Sequence, residues 1–334
     1  MTETLGVPSD VRSSGILGVG AYRPRTVVPN SDIVDRIDSS DDWIRTRSGI
    51  TTRRFAEPDE TVQTMSVSAS RDALAAAGLE PEDIDCVIVA TVSHLMQTPA
   101  VAATIADELG CTPAAAFDIS AACAGFCYAL SLASDMVRVG TSGHTLVIGV
   151  ERLSDITNPD DRSTAFIFAD GAGAVVVGPS DTPRIGPVVW GSDGGKSDFI
   201  TQTQSWDNVF ASVEAEWPTL HMEGNPVFRW ASFEMAKTAK EALDRAGLAP
   251  GDLDVFVPHQ ANMRITDAMA RTLKLPESVA IARDIAEQGN TSAASIPLAL
   301  ERMIADGEAK SGQSALFIAF GAGLVYAAQV VILP

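Results

Sequence analysis

The sequence predicts a layered α/β fold made of two similar halves, and three observations carry that prediction. Helix-forming stretches alternate with continuous apolar runs, as expected for strands buried on both sheet faces with helices packed against them. The stretch A-L-A-A-A-G-L-E-P-E-D-I-D-C-V at residues 73–87 returns at residues 242–256 as A-L-D-R-A-G-L-A-P-G-D-L-D-V-F. Gly78, Leu79, Pro81, Asp83 and Asp85 recur as Gly247, Leu248, Pro250, Asp252 and Asp254, at a constant offset of 169 that is close to half of the 334 residues. Five matches at fixed spacing, glycine and proline among them, favour duplication over chance. Between the copies lies G-P-S-D-T-P-R-I-G-P, whose composition suits a boundary. The expected halves are residues 1–182 and 183–334.

Taken in order, residues 14–22 (S-G-I-L-G-V-G-A-Y) read as a strand. Their G-V-G is too short for a dinucleotide fingerprint, and Pro24 bars the helix such a motif needs. Residues 31–48 read as a helix opened by Ser31 or Asp32, and residues 61–77 as a helix ended by Gly78. Residues 84–92 form a continuous apolar strand, and residues 114–119 a shorter one. The latter runs through small residues to Cys123 and into a helical pattern rich in Ala124, Ala129, Leu130, Leu132 and Ala133, with Ser120 as its expected cap. Residues 145–150 and 165–178 read as apolar strands with a glycine turn. Residues 315–333 repeat that character as strand, G-A-G turn, strand. Residues 190–226, with Trp206 and Trp217, show little periodicity and read as a long loop covering a pocket.

Composition narrows the function. A hydrophobic content of 46% over this length supports a large core. The net charge of −19 argues against nucleic acid, which needs a basic footprint, and against an anionic membrane surface. No apolar run is expected to be long enough to span a membrane at ~20 residues, and the first residues lack a secretory signal's apolar region. Cys86, Cys111, Cys123 and Cys127 have neither disulfide-framework nor metal-ligand spacing. A reduced, cytoplasmic protein without metal is expected.

Chemistry concentrates on three residues. Cys123 falls at or just before a helix N-terminus, where the dipole and free N–H groups favour a thiolate and lower the thiol pKa. His259 ends the buried run V-F-V-P-H, where α/β folds carry functional loops. Asn290 follows a glycine and precedes a helix capped by Thr291 or Ser292, at a turn like that of Cys123 in the other half. A lone histidine at a strand end is more often structural, and a lone asparagine before a helix more often a cap. On the facing turns of a duplicated fold, the three together point to a Cys–His–Asn site. Papain-like proteases use the same three residues in the same order, but their C-G-S/A-C-W context is absent. His94, His144 and His221 have no comparable setting and are left as structural or surface residues.

The stretches D-I-S-A-A-C-A-G-F, V-P-H-Q-A-N-M-R-I, G-N-T-S-A-A-S-I-P-L-A-L and F-G-A-G, with D-S-S-D-D-W-I-R-T-R-S-G-I near the start, resemble the thiolase superfamily. Within it, nearly the whole chain resembles the 3-oxoacyl-acyl-carrier-protein synthase III family, which starts type II fatty acid synthesis. The resemblance implies a homodimer of five-layered αβαβα subunits, with a coenzyme A thioester as substrate and no cofactor. It also implies a ping-pong reaction. Cys123 takes an acyl group from acyl-coenzyme A; malonyl-acyl-carrier protein then loses CO2, and its carbanion attacks the acyl-enzyme. The residue types suit these steps: His259 and Asn290 can each donate a hydrogen bond to the developing enolate, one such donor being worth ~3 kcal/mol.

By the same resemblance, the backbone N–H groups of Cys123 and Ala322 form an oxyanion hole, Ala322 standing where many relatives have the middle of three glycines. Trp43, Arg47 and Arg162 match positions that hold the adenine and phosphates of coenzyme A. Asn225 and Asn262 match contacts to the pantetheine arm. Arg264, Arg271 and Lys274 form a basic patch for the acidic carrier protein. Phe168, Phe228 and Phe320 line the acyl pocket, and Thr98 stands at its floor where some relatives carry a large aromatic, giving room for branched primers such as isobutyryl. The alternatives are a polyketide priming synthase and an acyltransferase acting on an alcohol or amine. The second would have no need of Asn290.

Overall fold

The computed structural model describes residues 11–334. The first half contains β1 (Ser13–Tyr22), β2 (Thr26–Pro29), α1 (Asp41–Ser48), β3 (Thr52–Phe55), α2 (Val62–Ala77) and β4 (Cys86–Ala90). It continues with α3 (Val101–Leu109), β5 (Ala115–Ile119), α4 (Gly125–Val139), β6 (Thr145–Arg152) and β7 (Asp170–Ser180). Its main sheet has the order β1-β7-β6-β4-β5. The strands β4, β5 and β6 are parallel, and β7 runs antiparallel to both β6 and β1.

The second half contains β8 (Val189–Gly191), β9 (Ile200–Gln202), α5 (Trp206–Ala211), β10 (Leu220–Met222), α6 (Gly224–Ala246) and β11 (Val255–Pro258). After these come α7 (Met263–Leu273), β12 (Ala280–Ile281), α8 (Ile285–Gln288), α9 (Ser295–Ala305), β13 (Ser314–Gly321) and β14 (Val325–Ile332). Read from β8, its sheet has the order β8-β14-β13-β11-β12 with the same strand senses. Strand for strand, this repeats the first sheet.

The repeated sequence motif has a local physical cause. Gly78 and Gly247 end α2 and α6 with φ of 67° and 72°, a left-handed conformation that glycine adopts without a Cβ penalty. Pro81 and Pro250 then open short 3-10 turns, in which Asp83 and Asp252 accept the N–H groups of Glu80 and Ala249 at 2.9 Å. Asp85 and Asp254 tie the following strand to its neighbour, accepting the N–H groups of Gly143 (2.6 Å) and Ser314 (2.8 Å).

Five layers result. The central one holds α4 and α9, whose apolar residues meet strand residues of both sheets, including Ile88, Val147, Val257 and Phe317. Outside the first sheet lie α2 and α3, packed on Val87, Val89, Leu146 and Ile148. Outside the second lie α6 and α7, packed on Phe256, Leu316 and Ile318. The apolar stretch 122–139, which includes α4, is long and apolar enough to cross a membrane, yet it is a core helix sandwiched between sheets.

Several expectations are corrected. Residues 31–48 are not one helix: turns occupy residues 30–38, and α1 starts after Ser40, whose hydroxyl accepts the Trp43 N–H. Ser120 caps nothing; α4 follows a 3-10 turn over Ala122–Ala124 and has no side-chain cap. Gly171, Ala172 and Gly173 lie within β7, because Gly173 faces Pro297 and Gly171 faces Leu298 too closely for larger side chains. Only the later G-A-G makes a turn. The stretch 190–226 is partly regular, with β9 and β10 pairing as a hairpin around α5.

Candidate active site

Cys123 sits between the two halves. The chain leaves β5, turns sharply at Ala122 (φ 43°), presents Cys123 and enters α4. The second half makes the same turn at Ser292 (φ 48°) before α9. The counterpart of Cys123 there is therefore Ala293, and Asn290 lies three residues earlier. The two turns pack against each other, with Gly125 and Gly149 close to Ala293.

His259 follows β11 and extends its ladder, its N–H donating to the Ile318 carbonyl at 2.7 Å. The ring is buried, and burial pushes its pKa from 6.5 down to about 3, so the imidazole is neutral. Nδ1 bonds the Ser295 hydroxyl at 2.6 Å. Since that hydroxyl oxygen accepts the Gln260 N–H at 3.3 Å, its proton is assigned toward Nδ1, which leaves Nε2–H free to donate. Asn290 is also buried, and its Oδ1 accepts the Ser292 N–H at 2.9 Å. Its amide NH2 is thereby left as the group available to a ligand.

Cys123, His259 and Asn290 line one cavity of about 560 Å³, together with Phe320, Phe228, Asn225, Asn262, Trp43, Arg47, Arg162 and Arg264. A second cavity of about 480 Å³ opens on the other side of Cys123, lined by Phe168, Ile119, Leu153, Ile156, Trp206, Leu220 and Ala322. Cys123, Phe168 and Ile200 border both cavities. The thiol thus stands where an outer channel meets an inner pocket.

Burial raises the Cys123 thiol to about 12, and Ser292 lines the same cavity. The expected lowering of the thiol pKa is thereby corrected: desolvation outweighs the helix terminus, and the resting group is a thiol. The G-A-G turn presses on this backbone, since a Cβ on Gly321 would come 2.6 Å from the Cys123 nitrogen. Ala322, the next residue, lines the inner pocket together with Cys123.

At the channel mouth, the guanidinium carbons of Arg162 and Arg47 lie 5.2 and 5.8 Å from the Trp43 ring centroid. Trp43 meets Phe166 edge-on at 5.3 Å. The buried Arg53, unremarked in the sequence, braces this wall by donating to the Phe166 carbonyl at 3.0 Å. Asn262 spends its polar atoms locally, capping α7 through the Arg264 N–H and donating to the Arg47 carbonyl. Arg264 stacks over Phe228 at 4.7 Å and borders a groove between α6 and α7 that also holds Arg229, Arg271 and the exposed Phe233.

Five residue expectations change. Phe228 and Phe320 line the outer channel rather than the inner pocket, Phe320 meeting His259 edge-on at 5.7 Å. Thr98 is exposed and lines neither cavity; its loop reaches the inner pocket through His94, Leu95, Met96 and Gln97. His94 therefore belongs to the pocket wall. Lys274 stands apart from the α6–α7 groove, as the left-handed C-cap of α7 with φ of 54°. The sequence reading also passed over Glu151. The strand beginning T-L-V-I-G-V runs on to Arg152, placing this carboxylate inside.

Comparison with known proteins gives the family. Residues 117–194 match the family model described as 3-oxoacyl-[acyl-carrier-protein (ACP)] synthase III, and residues 243–333 match its C-terminal model. The chain is 61% identical over 329 residues to the beta-ketoacyl-[acyl-carrier-protein] synthase III 1 of Streptomyces coelicolor, covering 96% of each. Among solved structures it is similar to the priming beta-ketosynthase of the R1128 polyketide pathway, with a TM-score of 0.97, 51% identity and 99% of each chain covered. It is also similar to 3-oxoacyl-[acyl-carrier-protein] synthase III from Aquifex aeolicus, with a TM-score of 0.89, 37% identity, and 96% of this chain and 100% of that one covered. The chain belongs to the 3-oxoacyl-[acyl-carrier-protein] synthase III family.

Proposed function

We propose that this chain condenses an acyl-coenzyme A primer with malonyl-acyl-carrier protein and so initiates type II fatty acid synthesis. The observation that carries this reading is the junction at Cys123, where an outer channel holding His259 and Asn290 meets an inner pocket with Ile119, Leu153, Ile156, Phe168 and Leu220 in its wall. The primer's acyl group would pass to Cys123 and rest in the inner pocket. Its carbonyl oxygen would be held by the N–H groups of Cys123 and Ala322. Malonyl thioester would then occupy the channel, where His259 Nε2–H and the Asn290 amide hold the enolate as CO2 leaves. Neutral donors serve here, since they stabilise negative charge without protonating the carbanion.

The finer assignments follow the same logic. Trp43, Arg47 and Arg162 offer an aromatic face and cations to the nucleotide of coenzyme A. The groove of Arg229, Arg264 and Arg271 suits an acidic carrier protein, a cationic spot on an otherwise anionic body. A homodimer would form along β5, which among the described residues is paired with β4 alone and whose half-buried residues border, with exposed Leu95 and Met96, the inner pocket. An inner pocket of about 480 Å³ supports primers beyond acetyl, branched ones included. A cytoplasmic location fits the supply of both thioesters. The fatty acid pathway is preferred to polyketide priming because the 61% identical relative bears the beta-ketoacyl-[acyl-carrier-protein] synthase III name.

The test is CO2 release from malonyl-acyl-carrier protein with a panel of acyl-coenzyme A primers, for wild type and Cys123→Ala. Primer-dependent release that vanishes in the variant, with a 3-oxoacyl product, is expected. Acylated Cys123 without CO2 release would move the reading to an acyltransferase.

A further inference from the structure

Glu151 is fully buried, yet no lysine, arginine or histidine pairs with it among the described residues. A buried carboxylate without a cation is costly unless hydrogen bonds or a proton relieve it. Four donors converge on it. Oε2 accepts from the Ser93 hydroxyl at 2.6 Å, the Val92 N–H at 3.1 Å and the Thr91 hydroxyl at 3.3 Å. Oε1 accepts from the Ser292 hydroxyl at 3.1 Å. Ser292 is the residue at the strained φ; it is buried and lines the inner pocket together with Cys123. Because the Ser292 proton points at Glu151, its lone pairs are free to receive the S–H.

Resting on the condensing reading above, we infer that Ser292 and Glu151 form a proton relay that takes the thiol proton of Cys123 during acylation and stores it until condensation. In the first half-reaction, the S–H bond breaks as sulfur bonds the primer carbonyl carbon. The proton moves to Ser292 Oγ while the serine proton moves to Glu151 Oε1. The carbon–sulfur bond to coenzyme A then breaks, and its thiolate takes a proton from solvent. In the second half-reaction, malonyl thioester loses CO2, and the enolate carbon bonds the acyl carbon. Cys123 leaves as thiolate and recovers its proton from Glu151 through Ser292. The carboxylate is thus restored, and one solvent proton is consumed per turnover.

Burial sets Glu151 at about 7, well above its ordinary 4.5, so it gives and takes a proton near neutrality. The titratable groups on the elements around it leave this role open. Asp118 on β5 is bonded by the Val101 and Ala102 N–H groups, and Asp170 on β7 by Ser154 and Ala56. Arg152 pairs with Asp155, Cys127 on α4 is buried in the core, and His94 lines the inner pocket.

The test is single-turnover acylation of Cys123 by acetyl- and isobutyryl-coenzyme A, followed by intact-protein mass from pH 5.5 to 9. Wild-type acylation is expected to rise with pH through about 7. Glu151→Gln and Ser292→Ala are expected to be slowed about 100-fold or more and to lose that inflection. The Ser292 variant keeps three of the four donors to Glu151. Wild-type rate and profile in both variants would overturn the relay. Difference infrared spectra of wild type at pH 8 give a second readout that needs no variant to fold. A protonated carboxylic acid band is expected to appear on acylation, and its absence also overturns the proposal. If wild type itself is not acylated, the condensing reading fails instead.

Discussion

At the scale of the residue, burial keeps the thiol and the imidazole uncharged until substrate arrives. Burial holds His259 down at about 3 and Cys123 up at about 12, so thiol and imidazole are both neutral across the working range. That favours hydrogen-bond donation to an enolate over proton transfer to it. Ser295 and the Ser292 N–H fix which atoms of His259 and Asn290 face the channel, so each donor is already oriented. His259→Ala and Asn290→Ala are each expected to lower CO2 release about 100- to 1,000-fold. Acylation of Cys123 should suffer less, because that step uses the backbone oxyanion donors. Equal losses in both half-reactions, measured by product and by protein mass, would contradict this division of labour.

At the scale of the element, the catalytic turn depends on close backbone approach. The ends of β13 and β5 meet where Gly321 abuts Cys123 and Ala122. A methyl at position 321 would come 2.6 Å from the Cys123 nitrogen and 2.9 Å from the Ala122 Cβ. Gly321→Ala is therefore expected to shift the oxyanion donors and cut the acylation rate at least about 100-fold, while costing about 1–3 kcal/mol of stability from overpacking. Acylation kinetics beside a urea midpoint would check both. An active, equally stable variant would mean that the turn can open.

At the scale of the whole molecule, the net charge of −19 sets a condition on binding an acidic partner. Only a local cationic surface beside the channel can overcome the general repulsion, and the α6–α7 groove lies there, sharing Arg264 and Phe228 with the channel wall. Arg271→Glu is expected to reduce kcat/KM for malonyl-acyl-carrier protein about tenfold and to flatten its salt dependence, with the deficit confined to the carrier-dependent half-reaction. A loss that is unchanged between low and high salt would point to a structural effect.

The sequence by itself determined the duplication, because the signals behind it are local: a left-handed glycine cap, a proline-opened turn and buried apolar runs need nothing distant to act. It also marked Cys123, His259 and Asn290, since their turns recur at strand and helix ends, and motif resemblance named the family. The tertiary structure decided what depends on contacts across the halves. Burial reversed the expected direction of the thiol pKa, since desolvation is set by neighbours far away in the chain. The matching left-handed turns at Ala122 and Ser292 made Ala293, not Asn290, the counterpart of Cys123. Cavity shape moved Phe228 and Phe320 to the outer channel and left Thr98 outside. Glu151 lies just past the strand read over residues 145–150, and only the fold sets the Ser292 turn from the other half beside it, because a carboxylate's role follows from its three-dimensional hydrogen-bond partners.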